Sequence, residues 1–187
     1  MPTPAQVKRR QLIQMAEGYL DLAVMFEDRW TLNETNRRKM ASRAIECLNE
    51  IRKPLGHKPH ILFLKGQAHR IAGRHIQAVR YFEQSTKLDP DNLHCLLALA
   101  WCYKRTDELE KAIDAMENAL KVEPGSAIVH YNLACYGALS RNLDLVVLHL
   151  SLALDLNSEY RELIARESDF DPIRHLAGFQ DILQVNA

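Results

Sequence analysis

Two short strings, KLDPDN at residues 87–92 and KVEPGS at residues 121–126, set a proline in the same surroundings, first at Pro90 and again at Pro124. Proline cannot continue a helix but suits the first turn of the next one, so each string marks a helix-to-helix break. A fixed period of roughly 20–50 residues is the mark of stacked repeats, each a supersecondary unit that cannot bury its apolar face alone. The recurrence therefore predicts an array of short paired helices.

The intervening residues agree. From Pro59 to Ser158 apolar residues recur at three- and four-residue spacing and no alternating stretch interrupts them. The first pair reads PHILFLKGQAHRIAG, stopped by Gly73, then RHIQAVRYFEQSTKL. The second reads DNLHCLLALAWCYKR, a turn at Thr106-Asp107 with Glu110 as capping-box partner of Asp107, then ELEKAIDAMENALKV. The third is SAIVHYNLACYGALS followed by NLDLVVLHLSLALDL.

These residues resemble the tetratricopeptide repeat, whose pattern of about 34 residues carries W-x2-L-G-x2-Y, a small Ala, a large apolar residue and Pro. The spacing of Pro90 and Pro124 matches that period. Leu62, Gly66, Ala78, Phe82 and Pro90 match in the first unit. Leu96, Leu99, Ala100, Tyr103, Ala112, Met116, Ala119 and Pro124 match in the second. The third keeps His130, Leu133, Ala134, Leu150 and Ala153, but holds Gly137 for the aromatic, Val146 for the small Ala and Ser158 for Pro, as expected of an array's end. Small residues at Gly66, Ala100, Ala134, Ala78 and Ala112 let paired helices approach closely. The resemblance implies an all-α fold, an α-solenoid or right-handed superhelix of helix-turn-helix units. It places three repeats in residues 59–158, at about 59–92, 93–126 and 127–160.

Flanking segments complete the expectation. Residues 1–56 read as a divergent helical hairpin: Thr3 caps a helix opening at Pro4 and running through LIQMAEGYLDLAVMF, and after DRWTLNET a second helix runs through RRKMASRAIECLNEI. Leu12, Met15, Ala16, Tyr19, Ala44 and Leu48 mimic a repeat. KPLGHKP, residues 53–59, reads as a hinge. Residues 159–187 give two capping helices broken at Asp171-Pro172, with Phe170, Ile173, Leu176, Phe179 and Ile182 covering the last apolar groove.

In such arrays the first helix of each pair lines a concave face along which ligands lie, so the resemblance also implies a site. Counting from the small residue, the face holds Phe63 and Gln67, then Leu97, Ala98 and Trp101, then Tyr131, Asn132 and Cys135. One turn earlier stand His60, His94 and Ile128; one turn later stand Arg70, Lys104 and Arg105. An aromatic floor with a basic lip suits a protein or peptide partner with apolar anchors and acidic flanks, because Trp, Tyr and Arg contribute most when desolvated. The carboxylate clamp of the chaperone-binding subclass is absent: its positions hold Phe63, Gln67, Ala98, Ile128 and Asn132, and only Asn132 fits. Asn132 is expected to bond the backbone of the bound peptide.

Composition trims the alternatives. Twenty-four Lys and Arg balance 24 Asp and Glu, which disfavours a nucleic-acid partner. Residues 1–90 nevertheless carry 16 basic and 9 acidic side chains and residues 91–187 carry 8 and 15, a split of +7 and −7 that would serve a homo-oligomer, although solvated helix faces are the preferred account of it. The start lacks a signal-peptide core, and the longest apolar run, CLLALAWCY, falls short of the roughly 20 residues of a membrane span. Cys47, Cys95, Cys102 and Cys135 form no CxxC pair and read as reduced, buried residues of a cytoplasmic protein. His57, His60, His69 and His75 lack the carboxylate or cysteine partners of a metal site, and no phosphate loop, nucleophile elbow or HExxH occurs. The sequence therefore predicts a non-catalytic adaptor without cofactor or metal.

Overall fold

The computed structural model describes residues 1–24, 33–51 and 56–185, and every regular element among them is helical. The chain divides into two compact units, Met1–Thr106 and Asp107–Ala187.

The first unit holds α1 (Pro4–Val24), α2 (Glu34–Asn49), α3 (Lys58–Ile71), α4 (His75–Thr86) and α5 (Leu93–Arg105). Thr3 and Gln6 close a capping box at the head of α1: the Gln6 N–H donates to Thr3 Oγ1 at 3.3 Å and the Thr3 N–H to Gln6 Oε1 at 2.7 Å. The residues expected to end α1, Met25 and Phe26, and most of the connection to α2 lie outside the described residues, as do the first three residues of the expected hinge, 53–55. Leu12, Ile13, Ala16 and Leu20 of α1 meet Ala44, Cys47 and Leu48 of α2 and Ile61, Leu64 and Ala68 of α3 in one core. Met15, counted among the repeat-like positions, is half-exposed instead.

Gly66 shows why the α3–α4 pair is close. A Cβ built there would lie 2.4 Å from Cε1 of Phe82, a side chain with no exposed surface. Gly73 then ends the pair's first helix at φ 74°, with the Arg74 N–H reaching the His69 carbonyl at 2.9 Å and the Gly73 N–H reaching the Arg70 carbonyl at 3.0 Å. This is a Schellman turn, whose left-handed residue favours glycine. The same left-handed position recurs one and two periods later without glycine, at Asp107 (φ 63°) and Arg141 (φ 57°). That corrects the expected capping box: a left-handed Asp107 lacks the extended backbone of an N-cap. Glu108 is the residue preceding α6, and its side chain makes no capping hydrogen bond.

The second unit holds α6 (Leu109–Val122), α7 (Ala127–Leu139), α8 (Leu143–Leu156), α9 (Tyr160–Arg166), a 3-10 helix (Ser168–Ile173) and α10 (Ala177–Val185). Its third-repeat departures compensate one another. A Cβ on Gly137 would meet Leu145 and Val146 at 3.2 Å, so the missing aromatic makes room for the larger Val146. α7 is buried on nearly every side, between α6, α8 and the 3-10 helix. Phe170, Ile173, Phe179 and Ile182 dock as the sequence predicts, and Leu176 is half-buried. Arg174 fastens the segment by donating from Nη2 to the Ile164 and Glu167 carbonyls at 3.1 and 2.7 Å, and Arg161 donates to the Leu183 carbonyl at 2.9 Å.

Between α7 and α8 two buried imidazoles face each other, His130 Nδ1 and His149 Nδ1 at 2.9 Å. His130 Nε2 lies 3.0 Å from the Pro124 carbonyl, which only accepts, so His130 carries its proton on Nε2 and accepts at Nδ1 from His149. Burial, and then His130, lower the pKa of His149.

Candidate functional site

In the first unit the predicted face is open and its residues cluster around Trp101. The half-buried indole carries the Arg70 guanidinium 5.5 Å and the Arg105 guanidinium 5.6 Å from its ring centroid, while His75 meets its edge at 5.3 Å. Arg70 is held for this by donating from Nε to Gln67 Oε1 at 2.8 Å. Arg105 and His94 are exposed, and Leu97, Ala98 and Lys104 are half-buried along α5. Helical spacing explains the grouping: Gln67 and Arg70 lie one turn apart on α3, and Leu97, Trp101 and Lys104 follow one another on α5.

Phe63 has a second role. Its ring is tilted against Phe82 at 6.0 Å and packs on the first unit's core, so only part of it is available to a partner. His60 stacks over Phe63 at 6.5 Å and its Nε2 lies 2.8 Å from Glu17 Oε1 of α1. Beside it, Arg10, Gln14, Glu17 and His57 line an open depression.

His75 is the residue sequence reasoning left out of this site. Burial lowers its pKa, helped by Arg105 and Arg70, so it meets the indole as a neutral ring. Its only sequence signal was its place at the start of α4. His69 sits apart, stacked on Tyr81 at 5.2 Å. None of the histidines considered as metal ligands joins a three-ligand cluster among the described residues.

The second unit's three predicted residues do not share this setting. Asn132 is half-buried, but Tyr131 retains 6% of its exposure and Cys135 2%. Tyr131 is stacked on Tyr160 at 4.7 Å and meets Phe170 edge-on at 6.0 Å. Burial, followed by Cys135 and Glu167, pushes its phenol pKa up. The expectation that Tyr131 and Cys135 line an open face is therefore corrected: the C-terminal segment, in covering α7, occupies the surface a ligand would use. All four cysteines are free and buried, and desolvation raises the thiols of Cys95 and Cys102 to about 11 and about 12.

The family model described as Tetratricopeptide repeat matches residues 69–134, spanning α4, α5 and α6 and reaching the small residue of α7. Residues 69–134 therefore carry tetratricopeptide repeat sequence. Solved structures place the same fold on most of the chain's length. One MamA crystal structure is 16% identical with a TM-score of 0.66, covering 82% of this chain and 75% of its own. A MamA RS-1 double mutant, also 16% identical, has a TM-score of 0.67 over 95% of this chain and 96% of its own. YrrB, described as a TPR protein with an unusual peptide-binding site, is 16% identical with a TM-score of 0.60 over 81% of this chain and 72% of its own. No curated protein matches. No helix among the described residues is long and apolar enough to cross a membrane.

Proposed function

We propose that the protein is a non-catalytic adaptor that takes a partner peptide or helix on the α3–α5 face of its first unit. In this reading residues 59–92, 93–126 and 127–160 are the repeats, 1–56 a divergent hairpin and 159–187 a cap. The observation that carries it is Trp101 flanked by the Arg70 and Arg105 guanidiniums. An arginine beside an aromatic ring keeps its charge while losing water, and a desolvated Arg/Trp cluster is the composition of an interface hot spot. An acidic side chain pairs with these guanidiniums, and apolar anchors cover Leu97 and the free edge of Phe63. YrrB, a protein of the same fold, is described as having a peptide-binding site.

The test is capture of partners from cell lysate by wild-type protein and by Trp101→Ala and Arg105→Glu variants, each first shown to keep its helical circular dichroism. Partners lost with either variant support the reading. An unchanged set of partners refutes it. Phe63→Ala is unsuitable, because Phe63 supports Phe82 and the core.

Self-association is the second reading, and α8 favours it: Leu148, Leu152 and Leu156, one turn apart, are all exposed. A dimer formed there persists at high salt, whereas one driven by the +7 and −7 halves weakens within the screening range of ordinary ionic strength. Sedimentation of wild type and Leu148→Glu at low and high salt separates the two.

A further inference from the structure

His75 brings a titratable ring into a cluster of cations. It stands at the head of α4 with its ring centroid 5.3 Å from that of the Trp101 indole and the two planes at 78°, and the Arg70 and Arg105 guanidiniums lie 5.5 and 5.6 Å from the same indole centroid. Three groups able to carry positive charge thus converge on one ring from α3, α4 and α5. His75 Nδ1 is buried and meets no hydrogen-bond partner. An imidazolium would place an unsatisfied N–H there, which favours the neutral ring. α4 packs against α3 and α5, and each contributes a charge that opposes protonation of His75 after burial itself does: Arg105 from α5, then Arg70 from α3. Arg74 precedes the ring in the chain, and α2 brings Arg38 Nη2 to 4.0 Å from where a Cβ on Gly73 would stand. The cluster therefore holds two fixed charges and one imidazole that burial and those charges keep neutral.

We infer, resting on the reading that an acidic partner docks at this face, that His75 makes the capture proton-linked: a partner carboxylate seated on Arg70 and Arg105 is accompanied by a proton taken up on His75, so the partner is held more tightly as pH falls. The cause is charge compensation. A carboxylate on the guanidiniums offsets the field that opposes the imidazolium and gives it a counter-charge, so the ring's proton affinity recovers toward the ordinary imidazole value of about 6.5. The sign follows from that recovery. The free site has the lower proton affinity, so binding takes up a proton in the window between the free and bound values; affinity is lowest above the window and rises as pH falls through it. An apolar partner acts in the opposite direction: it buries the ring further without a counter-charge, and its affinity falls as pH falls. The direction of the pH dependence therefore reads the partner's chemistry.

The test uses the full-length protein and two short rhodamine-labelled peptides, one alternating glutamate and leucine, the other glutamine and leucine. Binding is followed by fluorescence anisotropy between about pH 8 and about pH 5.5, where glutamate stays ionised, with circular dichroism confirming the fold at each pH. The glutamate peptide is expected to bind about 3- to 10-fold more tightly at the lower pH, the glutamine peptide to show no gain, and His75→Asn to remove the gain. In NMR, the ring-proton titration of His75 is expected to move to higher pH when the glutamate peptide saturates the site, and this readout decides alone if His75→Asn fails to fold. His60 and His94 belong to the same face, so His60→Asn and His94→Asn are expected to keep the gain; a gain lost in either of them and kept in His75→Asn overturns the assignment. Equal or weaker binding of the glutamate peptide at the lower pH also overturns it, while leaving Trp101 its partner. No binding that Trp101→Ala weakens overturns both this inference and the reading on which it rests.

Discussion

α3 and α7 stand two periods apart and answer each other residue for residue: Gly66 corresponds to Ala134, Phe63 to Tyr131, Gln67 to Cys135 and Arg70 to Ala138. Their surroundings differ completely. On α3 the three larger residues remain half-exposed, and Arg70 is spent on Trp101; on α7 all three counterparts are buried. The repeat fixes which way a side chain points, and later chain decides whether it meets water. In the second unit that later chain is Tyr160 at the head of α9 and the 3-10 helix, whose apolar residues need a partner as much as α7 does.

The largest expected effect tests that cover. Phe170→Ala removes a fully buried ring and costs the second unit about 3–5 kcal/mol, read from denaturant unfolding. It also opens Cys135 to thiol reagents, making α7 resemble α3; an unreactive Cys135 in the folded variant contradicts the covering role. Next comes Gly66→Ala, which drives a Cβ into Phe82 and costs about 1–3 kcal/mol despite alanine's better helix propensity. The same change at Gly125, where nothing lies within 4 Å, provides the control.

A smaller effect follows acidification. His149 has a folded-state pKa below the ordinary imidazole value of about 6.5, so the unfolded chain takes up its proton first. Stability is full above about pH 6.5 and is lost as pH falls from there through the folded value. Melting curves from pH 8 to pH 5 check this, with His149→Asn expected to flatten part of the dependence. His69 and His75, whose pKa values burial also lowers, give the first unit a dependence of the same sign.

The smallest effect compares the left-handed turns. Arg141→Gly relieves a φ of 57° and is expected to stabilise by about 0.5–1 kcal/mol in thermal unfolding, while Gly73→Ala destabilises by about 1 kcal/mol. Asp107→Gly gains less, because Asp tolerates this conformation better than Arg.

Much of this was legible in the chain. Pro90 and Pro124 gave the period, and Gly66, Gly73 and the alanines gave the close pairs. Thr3-Pro4 gave the first cap, and Phe170 through Ile182 gave the docking tail. The site was legible only in part. Helical register put Gln67 and Arg70 on one face of α3 and Leu97 and Trp101 on one face of α5. His75 was missed because its contact with Trp101 joins the start of α4 to the far end of α5, and Tyr131 and Cys135 were misplaced because register does not record what covers a face. The capping box at Asp107 failed for a related reason: the turn demands a left-handed residue there, and a capping pattern in sequence does not report φ.

By itself the sequence determined the period, the helical pairing and the direction of each side chain, because these follow from local backbone sterics and apolar spacing. Only the tertiary structure decided which faces stay open, which imidazoles meet, and that a cysteine of α7 comes beside two carboxylates of the C-terminal segment. Such contacts join residues far apart in the chain, and packing, not periodicity, brings them together.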